Sequence, residues 1–300
     1  MKKRLGAILG VLLCLSRCSG SPSAPGAPVS PGGTAPPPIS AAPPALLVGA
    51  GDIADCGPGA AFTAGLLDRL DGTIFTTGDN VYPSGTREAY RNCYEPTWGR
   101  HRHRTRPTPG NHDYQTADAA PYFEYFGANA GPFGAGYYSY SLGSWHVISL
   151  NSEIDVGRGS PQWQWLRADL AANPSICTAV YWHRALFSSG NHGGDPKMEE
   201  IWRILYELDV DLAITGHDHL YERFAPLDAG GRVDWTRGIR QFVVGTGGAP
   251  LYPARRVQAN SEVAASVWGV AAFTLDADRY AWRFIAADGS FHDEGTTSCH

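Results

Sequence analysis

Three hundred residues, 43% of them apolar and 18% charged, describe a packed globular body of one large or two small domains rather than a fibrous or disordered chain. A formal charge of −5, from 24 cations against 29 acids, argues against nucleic acid as a partner. Beyond the first residues no stretch approaches the length of a membrane-spanning helix, so the body is expected to be soluble.

The first eighteen residues stand apart. Lys2-Lys3-Arg4 gives a positive start and Leu5 to Leu15 an apolar run too short to cross a bilayer, which is the pattern of a secretory signal. Its end leaves two outcomes open. Leu15-Ser16-Arg17-Cys18 resembles a lipobox, in which Cys18 is lipidated and attaches the chain to a membrane, yet Arg17 stands where that motif has a small residue. Plain cleavage is the alternative. Both outcomes put the body outside the cytoplasm, secreted or anchored to the outer face of the membrane. Residues 19–44, rich in Ser, Pro, Gly and Ala, cannot bury enough surface to offset their ordering entropy and read as a disordered tether. Leader and tether hold four cations and no acids, so the body over 45–300 carries 20 cations against 29 acids, a formal charge of −9.

From Ala45 onward, apolar runs alternate with amphipathic segments. The pattern predicts a strand over 45–50 ending at Gly51-Asp52, then a helix over 60–71 with Phe62, Leu66, Leu67 and Leu70 on one face. A buried strand over 73–77 ends at Gly78-Asp79, and a helix follows over 86–100. Gly110-Asn111-His112-Asp113 follows Pro107-Thr108-Pro109, and residues 137–150 read as two adjoining strands. Pro161 opens a helix over 162–172. Thr178 to Trp182 is a strand ending at His183, 196–208 a helix, and Val210 to Thr215 a strand ending at Gly216-His217-Asp218-His219. Strands over 241–246, 267–275 and 280–286 close the chain. Alternation followed by strands predicts one layered α/β domain whose sheets are flanked by helices.

Four cysteines lie in this body, and an even number in an exported chain suggests disulfides, with three connectivities open. Cys56 and Cys93 follow two successive loops at the same predicted sheet edge and are favoured as a pair, leaving Cys177 with Cys299 to tie down the tail. Metal ligation is the rival reading, but no C-x-x-C spacing supports it.

One Gly-Asp at a strand end is usually a turn. Here five strands end in a polar, metal-competent residue: Asp52, Asp79, Asn111, His183 and the His217/His219 pair. On one sheet edge they would form a cup of oxygen and nitrogen ligands, better suited to Fe, Zn or Mn than to Ca, and too many for one tetrahedral zinc.

These blocks, in this order and approximate spacing, resemble the calcineurin-like metallophosphoesterases. Tyr82 in Gly78-Asp79-Asn80-Val81-Tyr82 and the Val180-Tyr181-Trp182-His183 block are similar to the purple acid phosphatase branch. The resemblance covers most of residues 45–250. It implies a four-layer α/β/β/α sandwich of two mixed β-sheets flanked by helices. It also implies two metal ions: Fe3+ held by Asp52, Asp79, Tyr82 and His219, and a divalent Fe, Zn or Mn held by Asp79, Asn111, His183 and His217, with Asp79 bridging. Ala54 stands where many relatives carry a ligating histidine, and Tyr82 fills that vacancy. The implied activity is hydrolysis of small phosphomonoesters by hydroxide generated at the metals, with His112 protonating the leaving group and His192 gripping phosphate. After His192 this chain has Gly193-Gly194-Asp195-Pro196, where plant and animal members often show a second histidine and a glutamate. A phosphodiesterase acting on nucleotides or glycerophosphodiesters is the alternative enzyme, and a non-catalytic surface lipoprotein with structural metals the alternative class.

Other residues are read structurally beside this. Arg184 could reach a phosphate oxygen but is expected in a salt bridge. Tyr221-Glu222-Arg223 is expected to buttress the histidine turn, and His146 to be a core residue. Arg100 to Arg104 reads as a solvated helix end. In Gly245-Thr246-Gly247-Gly248 the glycines allow close backbone approach at the rim of the cup.

Overall fold

The computed structural model describes residues 43–300; the signal over 1–18 and all but the last two residues of the tether lie outside the described residues. In chain order the elements are β1 (Ala45–Gly49), α1 (Gly59–Leu67), β2 (Thr73–Thr77), α2 (Arg87–Ala89), β3 (Thr105–Thr108) and α3 (Ala120–Phe126). Next come β4 (Tyr138–Leu142), β5 (Trp145–Ser149), α4 (Pro161–Ala172), β6 (Thr178–Arg184), α5 (Glu199–Glu207) and β7 (Leu212–Gly216). The chain closes with β8 (Tyr221–Leu227), β9 (Ile239–Val244), β10 (Ser261–Ala265), β11 (Gly269–Leu275), β12 (Arg279–Ala286) and β13 (His292–Ser298).

These strands form two mixed sheets, ordered β13-β12-β11-β1-β2-β3 and β10-β8-β9-β7-β6-β5-β4. In the first, β1, β2 and β3 run parallel; in the second, β5, β6, β7 and β9 do. Parallel strands are covered on both faces, which is why β2, β6 and β7 read as nearly continuous buried runs. The sheets pack face to face through aromatics: Phe75 lies 5.9 Å from Tyr181, Phe242 5.1 Å from Phe273, and Tyr221 4.3 Å from Phe284 between ring centroids. Leu166 of α4 and Ile201, Trp202 and Leu205 of α5 cover the other face of the second sheet, against Ile148, Val180, Trp182 and Ala213. With helices flanking both sheets, the architecture is the expected α/β/β/α sandwich.

Two expected helices differ. α1 stops at Leu67, and Phe62, expected on its buried face, is 54% exposed. The buried face is instead Gly59, Ala60, Thr63, Ala64 and Leu67. A small residue is needed at its start because a Cβ on Gly59 would lie 2.2 Å from the Gly248 carbonyl oxygen, so that end of the helix docks on backbone. The helix expected over 86–100 breaks into α2, a π-helical turn over Tyr90–Tyr94 and a 3-10 helix over Trp98–Arg104. Pro96 has no N–H to continue it. In the basic run, Arg100 pairs with Asp68 and Arg104 donates to the Leu67 and Gly72 carbonyls, so these cations tie α1 to the loop before β3. Cys56 is bonded to Cys93 and Cys177 to Cys299, as favoured.

Candidate metal centre

The parallel strands β1, β2, β6 and β7 all end at one edge, and backbone geometry turns the next residues into a common cup. Gly78 adopts φ +86°, and a Cβ there would lie 2.7 Å from His183 Nδ1. Asp52, Asp79 and His217 themselves take left-handed φ values of 58°, 48° and 71°. Such conformations cost energy and persist only where neighbouring structure imposes them. Here the neighbouring loop does so: Asp52 N donates to the Gly78 carbonyl and Ile53 N to the Asp79 carbonyl, at 3.0 and 2.9 Å.

Each carboxylate divides its work. Asp52 Oδ2 accepts from His217 N at 2.9 Å, and Asp79 Oδ1 accepts from His112 N at 2.8 Å. That leaves Asp52 Oδ1 and Asp79 Oδ2 facing the cup, 2.9 and 3.0 Å from the Tyr82 hydroxyl. His219 Nε2 lies 3.0 Å from the same hydroxyl, and His219 Nδ1 lies 2.7 Å from the Pro250 carbonyl. A carbonyl only accepts, so Nδ1 carries the hydrogen and Nε2 turns a lone pair inward. Three acceptors thus surround one phenol that has a single proton to give.

A second cluster repeats the pattern. His183 Nδ1 donates to the Thr77 carbonyl at 2.7 Å, which aims Nε2 inward. That atom lies 3.0 Å from Asn111 Oδ1, 3.1 Å from His217 Nδ1 and 3.4 Å from Asp79 Oδ2. Asp79, His183 and His217 form a group whose ligand atoms all lie within 4.8 Å of one another. Both clusters therefore concentrate lone pairs without enough donors, and Asp79 Oδ2 belongs to both. This donor set fits two cations.

Without cations, protons must make up the deficit. Burial opposes a charge on His183, but Asp79 beside it more than offsets this and raises its pKa to about 10. Burial likewise works against the Asp79 carboxylate, and His183 and His112 nevertheless hold it well below the usual carboxylate range. His217 goes the other way, down to about 2, through burial and the cations around it. Burial and the Asp52 and Asp79 carboxylates push the Tyr82 phenol far above its ordinary value.

All seven expected ligand residues thus meet in one cup. The two other expected site residues stand at its rim. His112 Nδ1 lies 2.6 Å from the Pro83 carbonyl, which fixes a hydrogen on Nδ1, while Nε2 faces the cup 3.9 Å from Asp79 Oδ2. His192 is exposed, and its ring stacks on His217 at 4.2 Å with 27° between planes.

Several supporting residues were not singled out from the sequence. Asp113 is buried and accepts from Gly110 N, Asn80 Nδ2 and the Tyr90 hydroxyl at 2.9, 3.0 and 2.7 Å, knitting the two central blocks together. Burial and nearby Asp79 raise its pKa to about 6. Asp218, between the two histidines of its block, accepts from His192 N, Gly193 N and Ser188 Oγ and so shapes the His192 loop. Both are carboxylates inside the quoted blocks, which was the available signal. Tyr252 stacks on His219 at 4.1 Å with 7° between planes, and no sequence pattern announced it. Of the trio expected to buttress the histidine turn, Glu222 instead holds Ser189 of the His192 loop. Tyr221 and Arg223 bond Asp293, because a side chain on β8 faces either the loop or the inter-sheet core, not the turn. His146 pairs with Asp169 at 2.6 Å in the core, as expected. Gly245, Gly247 and Gly248 do permit close backbone approach, a Cβ on Gly245 falling 2.1 Å from the Asp218 carbonyl oxygen.

Residues 38–221 match the family model described as calcineurin-like phosphoesterase, and the chain belongs to that family. Within it the relatives point to the purple acid phosphatase-like branch. Purple acid phosphatase 18 of Arabidopsis thaliana is 40% identical over 93 residues, 29% of this chain and 21% of that protein. An uncharacterized protein of Mycobacterium tuberculosis is 31% identical over 162 residues, 41% of this chain and 30% of its own. The chain therefore spans less than a third of these relatives' length. A purple acid phosphatase from yellow lupin (Lupinus luteus) seeds shares the fold with a TM-score of 0.70 at 19% identity, over 85% of this chain and 54% of that one. GAP50, described as the anchor in the inner membrane complex of Plasmodium, shares it at 0.67 and 14% identity, over 86% and 90%.

Proposed function

We propose that the protein is an extracytoplasmic hydrolase of small phosphomonoesters that works with two metal ions. The observation that carries this reading is the placement of Asp79 Oδ2 between two donor-poor clusters of ligand atoms. Asp52, Asp79, Tyr82 and His219 would hold one ion, and Asp79, Asn111, His183 and His217 the other. The phenol of Tyr82, held neutral by burial and two carboxylates, ionises as a ligand only beside a strongly charged ion, which favours Fe3+ there; a divalent Fe, Zn or Mn suits the second set. Two such ions, when bound, supply an acidified water and neutralise the charge that builds on the phosphoryl group.

The chain's own residues do the rest. With the Nδ1 hydrogen of His112 committed to Pro83, Nε2 is the atom that faces the cup, and a proton carried there can pass to a leaving alkoxide. His192, open to solvent and stacked on His217, is placed to meet an incoming phosphate. Two disulfides agree with an oxidising compartment outside the cytoplasm, and attachment through a lipidated Cys18 belongs to the same reading.

The non-catalytic alternative has one point in its favour: a relative 28% identical over 137 residues is named probable inactive purple acid phosphatase 9. Against it, a purely structural site has no use for a 29%-exposed His112 aimed into the cup. Metal analysis with a visible spectrum, followed by His112→Ala, tests the reading. Turnover of a phosphomonoester should fall about 10²-fold or more while metal content stays full. A metal-loaded wild type that hydrolyses neither mono- nor diesters would refute it.

A further inference from the structure

Arg184 closes β6 directly after His183, and its surroundings fix the guanidinium from both ends. Its backbone N donates to Ser152 Oγ at 3.1 Å, and its carbonyl accepts from Trp182 Nε1 at 2.6 Å. Nε bridges the two oxygens of Glu153 at 2.9 and 3.1 Å, and that carboxylate is only 8% exposed. The expected salt bridge is therefore present, but it uses only part of the side chain. Nη1 lies 3.7 Å from Asp195, and among the described residues Nη2 has no acceptor within bonding distance.

The unspent edge points at the second cluster, with Nη1 3.4 Å from His217 Nε2. His217 Nδ1 faces His183 Nε2 at 3.1 Å and so keeps its lone pair inward, whether a proton or a cation occupies that side. The hydrogen of neutral His217 then sits on Nε2. Two N–H donors thus stand 3.4 Å apart with no acceptor between them, at a rim where the His192 ring stacks on His217 and is open to solvent. Donors left facing one another are satisfied by an oxyanion laid across them. Nearby Lys197 is already committed to the Ser152 carbonyl at 2.6 Å, and glycines occupy positions 193 and 194.

We propose that Arg184, together with His217 Nε2–H, grips a terminal phosphoryl oxygen and makes the site select monoesters over diesters. This deepens the phosphoesterase reading and rests on it. A monoester presents three terminal oxygens and two negative charges near neutral pH, whereas a diester presents two oxygens and one charge. A donor pair beside the metal cluster has more to hold on the monoester. Glu153 acts as a positioning residue, since it turns the fork toward His217.

The test uses the full chain loaded with metal, as wild type, Arg184→Gln, Arg184→Lys and Asp195→Asn. Metal content, kcat/KM for a nitrophenyl monoester and its bis ester, and calorimetric affinity for inorganic phosphate are measured. For Arg184→Gln, monoester kcat/KM and phosphate affinity should drop about 10- to 100-fold at full metal content, while the diester changes about threefold or less. Arg184→Lys, which keeps charge but not the fork, should fall between. Asp195→Asn removes a competing charge and should tighten phosphate about two- to fivefold. Equal losses on both esters, or unchanged phosphate affinity, would overturn the proposal, as would metal loss in both Arg184 variants with no effect of Asp195→Asn. If the wild type cleaves neither ester, the phosphoesterase reading fails by itself, and phosphate affinity still decides whether Arg184 binds the anion.

Discussion

Stripping the metals should give the protein two opposite responses to pH, both traceable to His183. In the metal-free state its Nδ1 donates to Thr77, and a second proton on Nε2 faces Asn111 Oδ1 and Asp79 Oδ2 at 3.0 and 3.4 Å. Burial alone would expel that proton, yet Asp79 holds it up to about pH 10, against an ordinary value near 6.5. A pKa raised on folding contributes stability that is fully present below about pH 6.5 and is lost as pH climbs toward 10. A cation must displace the same proton to use Nε2 as a ligand, so binding releases it, and apparent affinity should rise about tenfold per pH unit across that window. From pH 6.5 to 8.5 the gain is then roughly hundredfold, and more where Tyr82 also loses its proton. Zinc competition against a chromophoric chelator at pH 6.5, 7.5 and 8.5, corrected for the chelator's own titration, reads the affinity. Proton release in weak buffer reads the stoichiometry, and melting of metal-free protein reads the stability. His183→Gln should flatten both slopes. Affinity independent of pH with no proton released, or a metal-free protein that grows more stable from pH 6.5 to 10, would show that His183 is neutral and refute the reasoning.

Two further outcomes test neighbouring parts. Tyr82→Phe should abolish the visible tyrosinate-to-ferric band while circular dichroism stays native, because only the hydroxyl touches Asp52, Asp79 and His219; a colourless native protein holding two divalent ions would sink the Fe3+ assignment and leave the two-metal reading intact. The Cys177–Cys299 bridge spans a sequence separation of 122 residues, so replacing both cysteines by alanine should cost about 2–5 kcal/mol in urea unfolding. No loss would mean that β13 is held by its pairing with β12 and the Asp293 contacts without help from the bridge.

How much of this was legible beforehand depended on where each element's burial comes from. β2, β5, β6 and β7 lie inside sheets, so their own side chains carry the signal. β10 and β13 are edge strands with half-polar sequences, Ser261-Glu262-Val263-Ala264-Ala265 and His292 to Ser298, and only their pairing makes them strands. β8 carries Pro226, which argues against a strand, and the sheet tolerates it through a register shift between Arg223 and Pro226. The seven expected ligand residues were readable because each lies at or just beyond the end of a strand. Tyr252 and the Pro250 carbonyl lie in a loop with no periodicity, so their contacts with His219 had no sequence signature.

The same geometry explains why one block says little while five in order say much. Asp79 gives one oxygen to the cup and the other to His112 N in the next block; Asp52 gives its second oxygen to His217 N, 165 residues away. Gly110 must be glycine because a Cβ there would lie 2.2 Å from Asp79 Oδ1. Asp113 then ties Gly110 back to Asn80, next to Asp79. The blocks around Asp52, Asp79, Asn111 and His217 thus each supply an expected ligand and also hold another block's in place. A lone Gly-Asp turn lacks those reciprocal partners and can remain a turn. Losing one of these blocks would loosen a neighbour's expected ligand as well as its own, and their joint presence marks a preorganised centre rather than five coincident turns.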